Sequence, residues 1–457
     1  MGSRAQCFLA FPWPICTVSR PDPMPEPRPL WKDLLQPAVI VGALGYFVDI
    51  YDLTLFMTVR EKSLNGLGLS HLITGAPWYQ DLMSWQMAGM LIGGIFFGVL
   101  GDRMGRLTTL FGSILLYSVA NIANGLVDSF GAYAAWRFIA GVGLAGELGG
   151  CIALVSETLS KERRGYGTAL VATVGVFGAV VAGWMADHVD ALGAMAGTDG
   201  WRMSYFIGGG LGLLLLAMRV GVHESGMFRQ ACESAASGSV GRGDFLSLFT
   251  SRDRFMRYLR CVLIGLPTWY MIGILVQRAA TVFAPASGIQ GEKIQTNWAV
   301  AAFYLGLTFG DLASGVGSQL ARSRRKVVLG FLLFSLLCVS VYLFGAQGWG
   351  SEAYYRLIFL MGFGMGYWAL FVTIAAEQFG TNLRATVATT VPNFARGSLV
   401  LLTFFFTQLT GTKDVPGAFS APVAGGIIGA VCFTAAFLAL WRMEETYGKD
   451  LDYQEMR

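Results

Sequence analysis

Charge is what this chain has least of. Only 14% of its 457 residues are Asp, Glu, Lys or Arg, against about 25% in soluble domains. The deficit runs along the whole chain, which excludes a soluble protein with one anchor. There are three histidines, and seven scattered cysteines with no Cys-x-x-Cys or Cys/His spacing. A zinc centre, a disulfide framework and a histidine-based active site therefore find no support. No GxxxxGK[ST] loop is present, so ATP hydrolysis is not the expected energy source. No nucleophile–base constellation marks an enzyme. No cofactor is implied, and a net charge of +4 is too modest to call for nucleic acid.

What the chain does have is apolar length. Mean hydropathy is +0.54, and apolar runs of about 20 residues recur, the length a helix needs to cross a bilayer. Runs such as "GGGLGLLLLAM" do not alternate, which excludes a β-barrel. Twelve spans are read at 35–58, 79–100, 107–127, 133–155, 166–188, 202–221, 257–278, 296–319, 327–346, 354–376, 386–410 and 420–442. The fold class expected is an all-α membrane protein of two six-helix bundles, residues 31–221 and 257–442. A Gly/Ser-rich linker, 222–256, separates them, with tails at 1–30 and 443–457. The Pro-rich first tail reads as disordered rather than as a signal peptide. The natural chain is expected to start at Met24, which mass spectrometry of the native N-terminus would test. Alternate loops are basic ("GDRMGR", "SKERRG", "ARSRRK"), so both termini and the linker are expected in the cytoplasm of a plasma or inner membrane protein.

The halves echo each other. "WRFIAGVGLAGELGGCIALVSE" (136–157) aligns with "YRLIFLMGFGMGYWALFVTIAAE" (355–377). Each opens on an aromatic and an arginine, passes through small residues and closes on a glutamate. "GDRMGR" (101–106) has a weaker partner in "GSQLARSRRK".

Three stretches carry a family resemblance. "GVLGDRMGRL" resembles the loop 2–3 signature of the major facilitator superfamily. "RFIAGVGLAGELGG" with "SETLSKERRG" resembles the fourth-helix region of its proton-coupled metabolite and sugar porter branches. "GYFVDIYDLTLF" (45–56) resembles the first-helix signature of aromatic-acid, sialate and phosphate proton symporters. The resemblance implies two pseudo-symmetric bundles with a binding site at the midplane between them.

It also sorts the polar residues. Gly101, Asp102, Arg103, Gly105 and Arg106, with Glu157, Arg163 and Arg164, match a gate on the cytoplasmic side. There Arg103 and Arg106 can pair with Glu157, and Arg163 and Arg164 are further partners; ordinary loop charge is the plainer reading. Asp49 and Asp52 lie three apart on one helix face. An intramembrane charge costs ~2.5–3.5 kcal/mol, so a proton-coupling role is set against a locked structural pair. Glu147 is a third acid of the same kind, with a helix–helix hydrogen bond as its alternative. Arg137 either lines the outer cavity or snorkels to the interface. Trp269, Tyr270 and Gln277 in the seventh span and Tyr367 and Trp368 in the tenth are binding candidates, because the family lines its cavity with helices one, four, seven and ten. Arg396, with Asn393, either attracts an anion or pairs with Asp311. The function expected is proton-coupled uptake of a small organic anion by a monomer. The alternatives are proton-antiport efflux of amphiphilic compounds and a sensor that transports nothing.

Overall fold

Helices make up most of the described residues of the computed structural model, which are 29–72, 82–160, 163–219, 241–411 and 417–456. The expectations for Met24, for residues 1–28, for the last two residues of the sixth span and for 222–240 of the linker lie outside them. Among the described residues, twelve long helices run in sequence. The first six are α1 Pro37–Gly66, α2 Leu82–Met104, α3 Arg106–Asn124, α4 Phe130–Thr158, α5 Arg164–Ala196 and α6 Gly200–Met218. The second six are α7 Arg252–Val276, α8 Thr296–Leu320, α9 Arg324–Gly345, α10 Ser351–Glu377, α11 Arg384–Thr410 and α12 Ala421–Trp441.

Eleven of these are long and apolar enough to cross a membrane. The twelfth, α11, carries Arg384, Arg396 and several threonines, and it is buried along most of its first sixteen residues. Protein rather than lipid surrounds that half, so polar side chains are tolerated there. α1 and α5 outrun the spans read from hydropathy. Their polar ends leave the apolar layer and meet in a Lys62–Asp190 ion pair of 2.5 Å.

The repeat shows as matched breaks. α4 is interrupted between Leu144 and Glu147, and α10 between Gly364 and Trp368. In α7, Pro267 removes a backbone donor, and the helix widens into π-turns over Met271–Val276. The halves meet where α2 packs on α11 and α5 on α8. Gly101 permits the first contact, since a Cβ there would stand 3.1 Å from the Ala385 Cβ. Gly105, at φ 107°, makes the turn from α2 to α3, a conformation L side chains avoid.

The C-terminal segment reads from sequence as a featureless tail. Residues 443–456 instead pack beneath the α10–α11 connection. Thr381 N–H donates to the Tyr453 carbonyl (2.8 Å), and Glu455 takes both Arg257 guanidinium nitrogens at 3.0 Å. Leu451 is buried at 1% exposure.

Candidate functional site

Two layers of buried charge join the halves. One lies near the middle of the helices, the other at the face that carries the α2–α3 turn, called the gate face below.

The middle layer is built by α1 and α11. Asp49 is twelve residues into α1 and Arg396 twelve into α11. At 1.5 Å per residue both lie ~18 Å from their helix starts, inside a core of ~30 Å. Arg396 Nη2 stands 3.9 Å from Asp49 Oδ2. Both residues are buried, and neither Asp49 oxygen accepts a hydrogen bond among the described residues. Arg396 Nη1 donates to Asn393 Oδ1 (3.3 Å), while Nε and Nη2 have no hydrogen-bond partner. Its guanidinium lies over the rings of Trp269 (5.9 Å) and Trp368 (5.7 Å). These three residues line a narrow central cavity together with Tyr46, Tyr304 and Thr268. Trp368 Nε1 donates to the Tyr46 hydroxyl at 3.0 Å, a second link between the halves.

Helix ends aim these groups. The Asp311 carboxylate accepts the Ala369 N–H (3.0 Å). It thereby caps the second segment of α10, the one that begins at Trp368. Asp311 caps that segment through one oxygen and forms no ion pair with Arg396, which corrects the pairing considered from sequence.

The other acids stay within the first half. Glu147 is bonded to Arg219 at the end of α6, and Gly45 leaves the space beside α1 that this pair occupies. Asp52 faces Arg137 and Asn121. Arg137 is buried, with its guanidinium over the rings of Phe56 (4.7 Å) and Tyr205 (5.6 Å), so it neither lines the central cavity nor snorkels. Three aromatic-segment candidates also leave the cavity. Tyr270 follows Trp269 around the helix and donates to the Gly425 carbonyl of α12 (2.7 Å). Tyr367 donates to the Ile264 carbonyl (2.9 Å). Gln277 falls beyond the π-turn, whose extra residue shifts the helical phase, and it is not a lining residue.

The gate layer is a pair of linked clusters. Glu157 takes Arg106 from its own half (2.8 Å) and Arg384 from the other (3.1 Å). Glu377 takes Arg324 from its own half (3.1 Å), with Arg164 from the other at 3.9 Å. Asp102 accepts the N–H groups of Ala385 (3.0 Å) and Thr386 (2.8 Å), so a first-half carboxylate caps the start of a second-half helix, where the dipole favours it. Arg384 also donates to the Leu451 carbonyl of the C-terminal segment (2.5 Å). Two expected members stand apart. Arg103 is exposed and donates to the Arg242 carbonyl, because it projects from the outer side of the helix end. Arg163 pairs with Asp33 within the first half (2.5 Å).

Sequence reasoning missed Arg219, Tyr46, Tyr304, Arg324, Glu377 and Arg384 as members of these layers. The internal repeat held the signal for the gate residues, since Glu377 and Arg384 align with Glu157 and Arg163. Arg219 falls at the end of the span read at 202–221, where a terminal arginine gives no signal.

Comparison with known proteins follows the same lines. A family model described as Major Facilitator Superfamily matches residues 42–401. The cis,cis-muconate transport protein of Acinetobacter baylyi is 26% identical over 86% of this chain and 88% of its own length. The gentisate transporter of Corynebacterium glutamicum is 26% identical over 76% and 75%. Among solved structures, the proton:xylose symporter XylE superimposes with a TM-score of 0.65 at 15% identity, covering 93% of this chain and 98% of its own.

Proposed function

The chain belongs to the major facilitator superfamily and is a membrane transporter, and from that premise we propose that it carries out proton-coupled symport of a small organic anion. One observation carries the reading. Arg396 faces the central cavity between two indoles, with two guanidinium nitrogens, Nε and Nη2, outside any hydrogen bond. A buried cation with spare donors in a fork is suited to a carboxylate, and the flanking tryptophans suit a flat, unsaturated body. Two relatives named for gentisate and cis,cis-muconate, both small unsaturated carboxylates, point the same way.

The proton enters through competition. A carboxylate on Arg396 would stand beside the Asp49 carboxylate. Two anions sharing one cation in a low dielectric repel, and a proton on Asp49 removes the repulsion. Asp49 is therefore the coupling acid, while Asp52 beside Arg137 and Glu147 bonded to Arg219 hold the first bundle together. With the gate face taken as cytoplasmic, as its basic loops suggest, rocking of the halves breaks the Glu157 and Glu377 clusters and opens the cavity inward.

The test is flux in proteoliposomes across a panel of benzoates, unsaturated dicarboxylates, sugars and lipophilic cations, with an imposed pH gradient. Carboxylate uptake driven by an acidic outside is expected. Uptake indifferent to the gradient would end the coupling claim, and transport of cations alone would end the anion claim.

A further inference from the structure

A groove between α8, α9 and α10 lies outside the transport path. It holds about 310 Å³ and is open to one side of the molecule. Gly330 lines it at an exposed position, where a Cβ would meet nothing within 4 Å. Its wall is aromatic: Phe331 stacks on Phe363 with centroids 5.7 Å apart, and Phe334 meets the same ring edge-on at 6.0 Å. Leu329 and Leu333 are exposed alongside. Lys326 stands at the rim, at the gate-face end of α9.

We infer that this groove binds one anionic phospholipid, with its phosphate between Arg322 and Lys326 and an acyl chain along Phe331, Phe334 and Phe363. Length supports this occupant. Phe334 lies eight residues beyond Lys326 on α9, ~12 Å at 1.5 Å per residue, against ~15 Å for half of the hydrocarbon core. The groove's length is thus close to that of one leaflet. Charge supports it too. Arg322 and Lys326 are exposed, and neither forms an ion pair among the described residues, whereas the basic residues between them are committed. Arg324 bonds Glu377, and Arg325 bonds the Trp441 carbonyl. The nearby carboxylate of Glu445 is taken up by Ser323 and by the N–H groups of Arg324 and Arg325. A soluble anion would have no use for the apolar channel beneath the two cations, and a neutral lipid would have none for the cations. A bound headgroup would flank Arg324, which closes the gate on Glu377, so the site is placed to steady the α8–α9 turn.

The experiment is native mass spectrometry of the purified full chain, titrated with phosphatidylglycerol and, separately, phosphatidylcholine of the same chain length. Wild type is expected to retain one phosphatidylglycerol in preference. Each cation near the surface is worth about fivefold in anionic-lipid affinity. Arg322→Gln with Lys326→Gln should therefore cut phosphatidylglycerol retention by about 25-fold and leave phosphatidylcholine unchanged. Gly330→Trp, which fills the groove, should remove the bound lipid. Gly210→Trp, at an equally open and exposed position on α6, should not. Should Gly330→Trp fail to fold, the charge variant decides alone. Unaltered phosphatidylglycerol retention in that variant would overturn the inference. So would displacement of the lipid by millimolar glycerol 1-phosphate, which marks a soluble-anion site, or a change of oligomeric state with Gly330→Trp in place of lipid loss.

Discussion

Replacing Asp49 by Asn should separate substrate exchange from pH-driven accumulation. The charges of Asp49 and Arg396 are 3.9 Å apart, and at an effective dielectric of about 20 such a pair interacts by about 4 kcal/mol. A substrate carboxylate on the unclaimed nitrogens of Arg396 meets Asp49 at a similar distance and is repelled by about the same amount. That is about three orders of magnitude in affinity. Anion binding to wild type should therefore take up a proton, and above the pH where Asp49 ionises it should weaken about tenfold per pH unit. In Asp49→Asn the acid is gone, so affinity should be flat with pH and at least as tight as that of wild type at low pH. In proteoliposomes clamped at zero potential, a gradient of one pH unit supplies about 1.4 kcal/mol per proton, enough for about tenfold accumulation of a monoanion by wild type. Asp49→Asn should exchange labelled substrate normally and stop at equal concentrations. Tenfold accumulation by Asp49→Asn, or an undiminished pH slope in its binding, would refute the assignment and move the proton elsewhere.

Three other substitutions probe the rest. Arg396→Lys keeps the charge opposite Asp49 but loses the fork and the indole contacts. With charge-assisted hydrogen bonds worth about 1.5–3 kcal/mol, KM should rise about 10- to 100-fold with thermal stability retained, and an unchanged KM would mean that Arg396 does not hold the anion. Asp102→Ala removes the acceptor for two N–H groups across the halves. At about 0.5–2 kcal/mol per cap, the open-gate population should grow roughly two- to thirtyfold, read as faster alkylation of an Ala385→Cys reporter; an unchanged rate would count against the gate. Glu445 lies beyond α12. Burial works against its charge, but hydrogen bonds from Ser323 and from the N–H groups of Tyr447, Arg324 and Arg325 hold its carboxyl below the usual range. A depressed folded value stabilises above the unfolded one, ~4.3, and that gain is lost as pH falls through the folded value. Glu445→Gln should thus lower Tm at pH 7 and match wild type near pH 3; a gap that persists in acid would point to packing instead.

The spans were legible because hydropathy alone dictates them, and the repeat because its glutamates and arginines recur at offsets that differ by only a residue or two, 219 to 221. Arg396 and Trp368 were legible because a charge and an indole inside apolar helices need a reason. Tyr270, Tyr367 and Gln277 carried the same signal and proved different, since facing is set by helix phase, and a proline with a π-turn resets that phase in α7. Tyr46 and Tyr304 gave no signal, for a tyrosine is ordinary in an apolar helix. The Leu451 carbonyl, a partner of Arg384, could not be read from sequence, because every residue has one.

Six arginines head the largest fully buried side chains: Arg106, Arg137, Arg219, Arg324, Arg384 and Arg396. In so charge-poor a chain each demands an account, since an uncompensated buried cation is costly. Arg106, Arg324 and Arg384 each hold a glutamate oxygen within 3.1 Å, and Arg219 holds Glu147. None of these four has much to offer an arriving anion. Arg137 keeps its guanidinium unbonded, but it is enclosed by Phe56 and Tyr205 and has Asp52 opposite. Arg396 alone among the six combines a distant acid, spare donors and a place on the cavity wall. Four of its counterparts are paired and the fifth is enclosed, which leaves Arg396 as the best-placed candidate among the six to receive an anion.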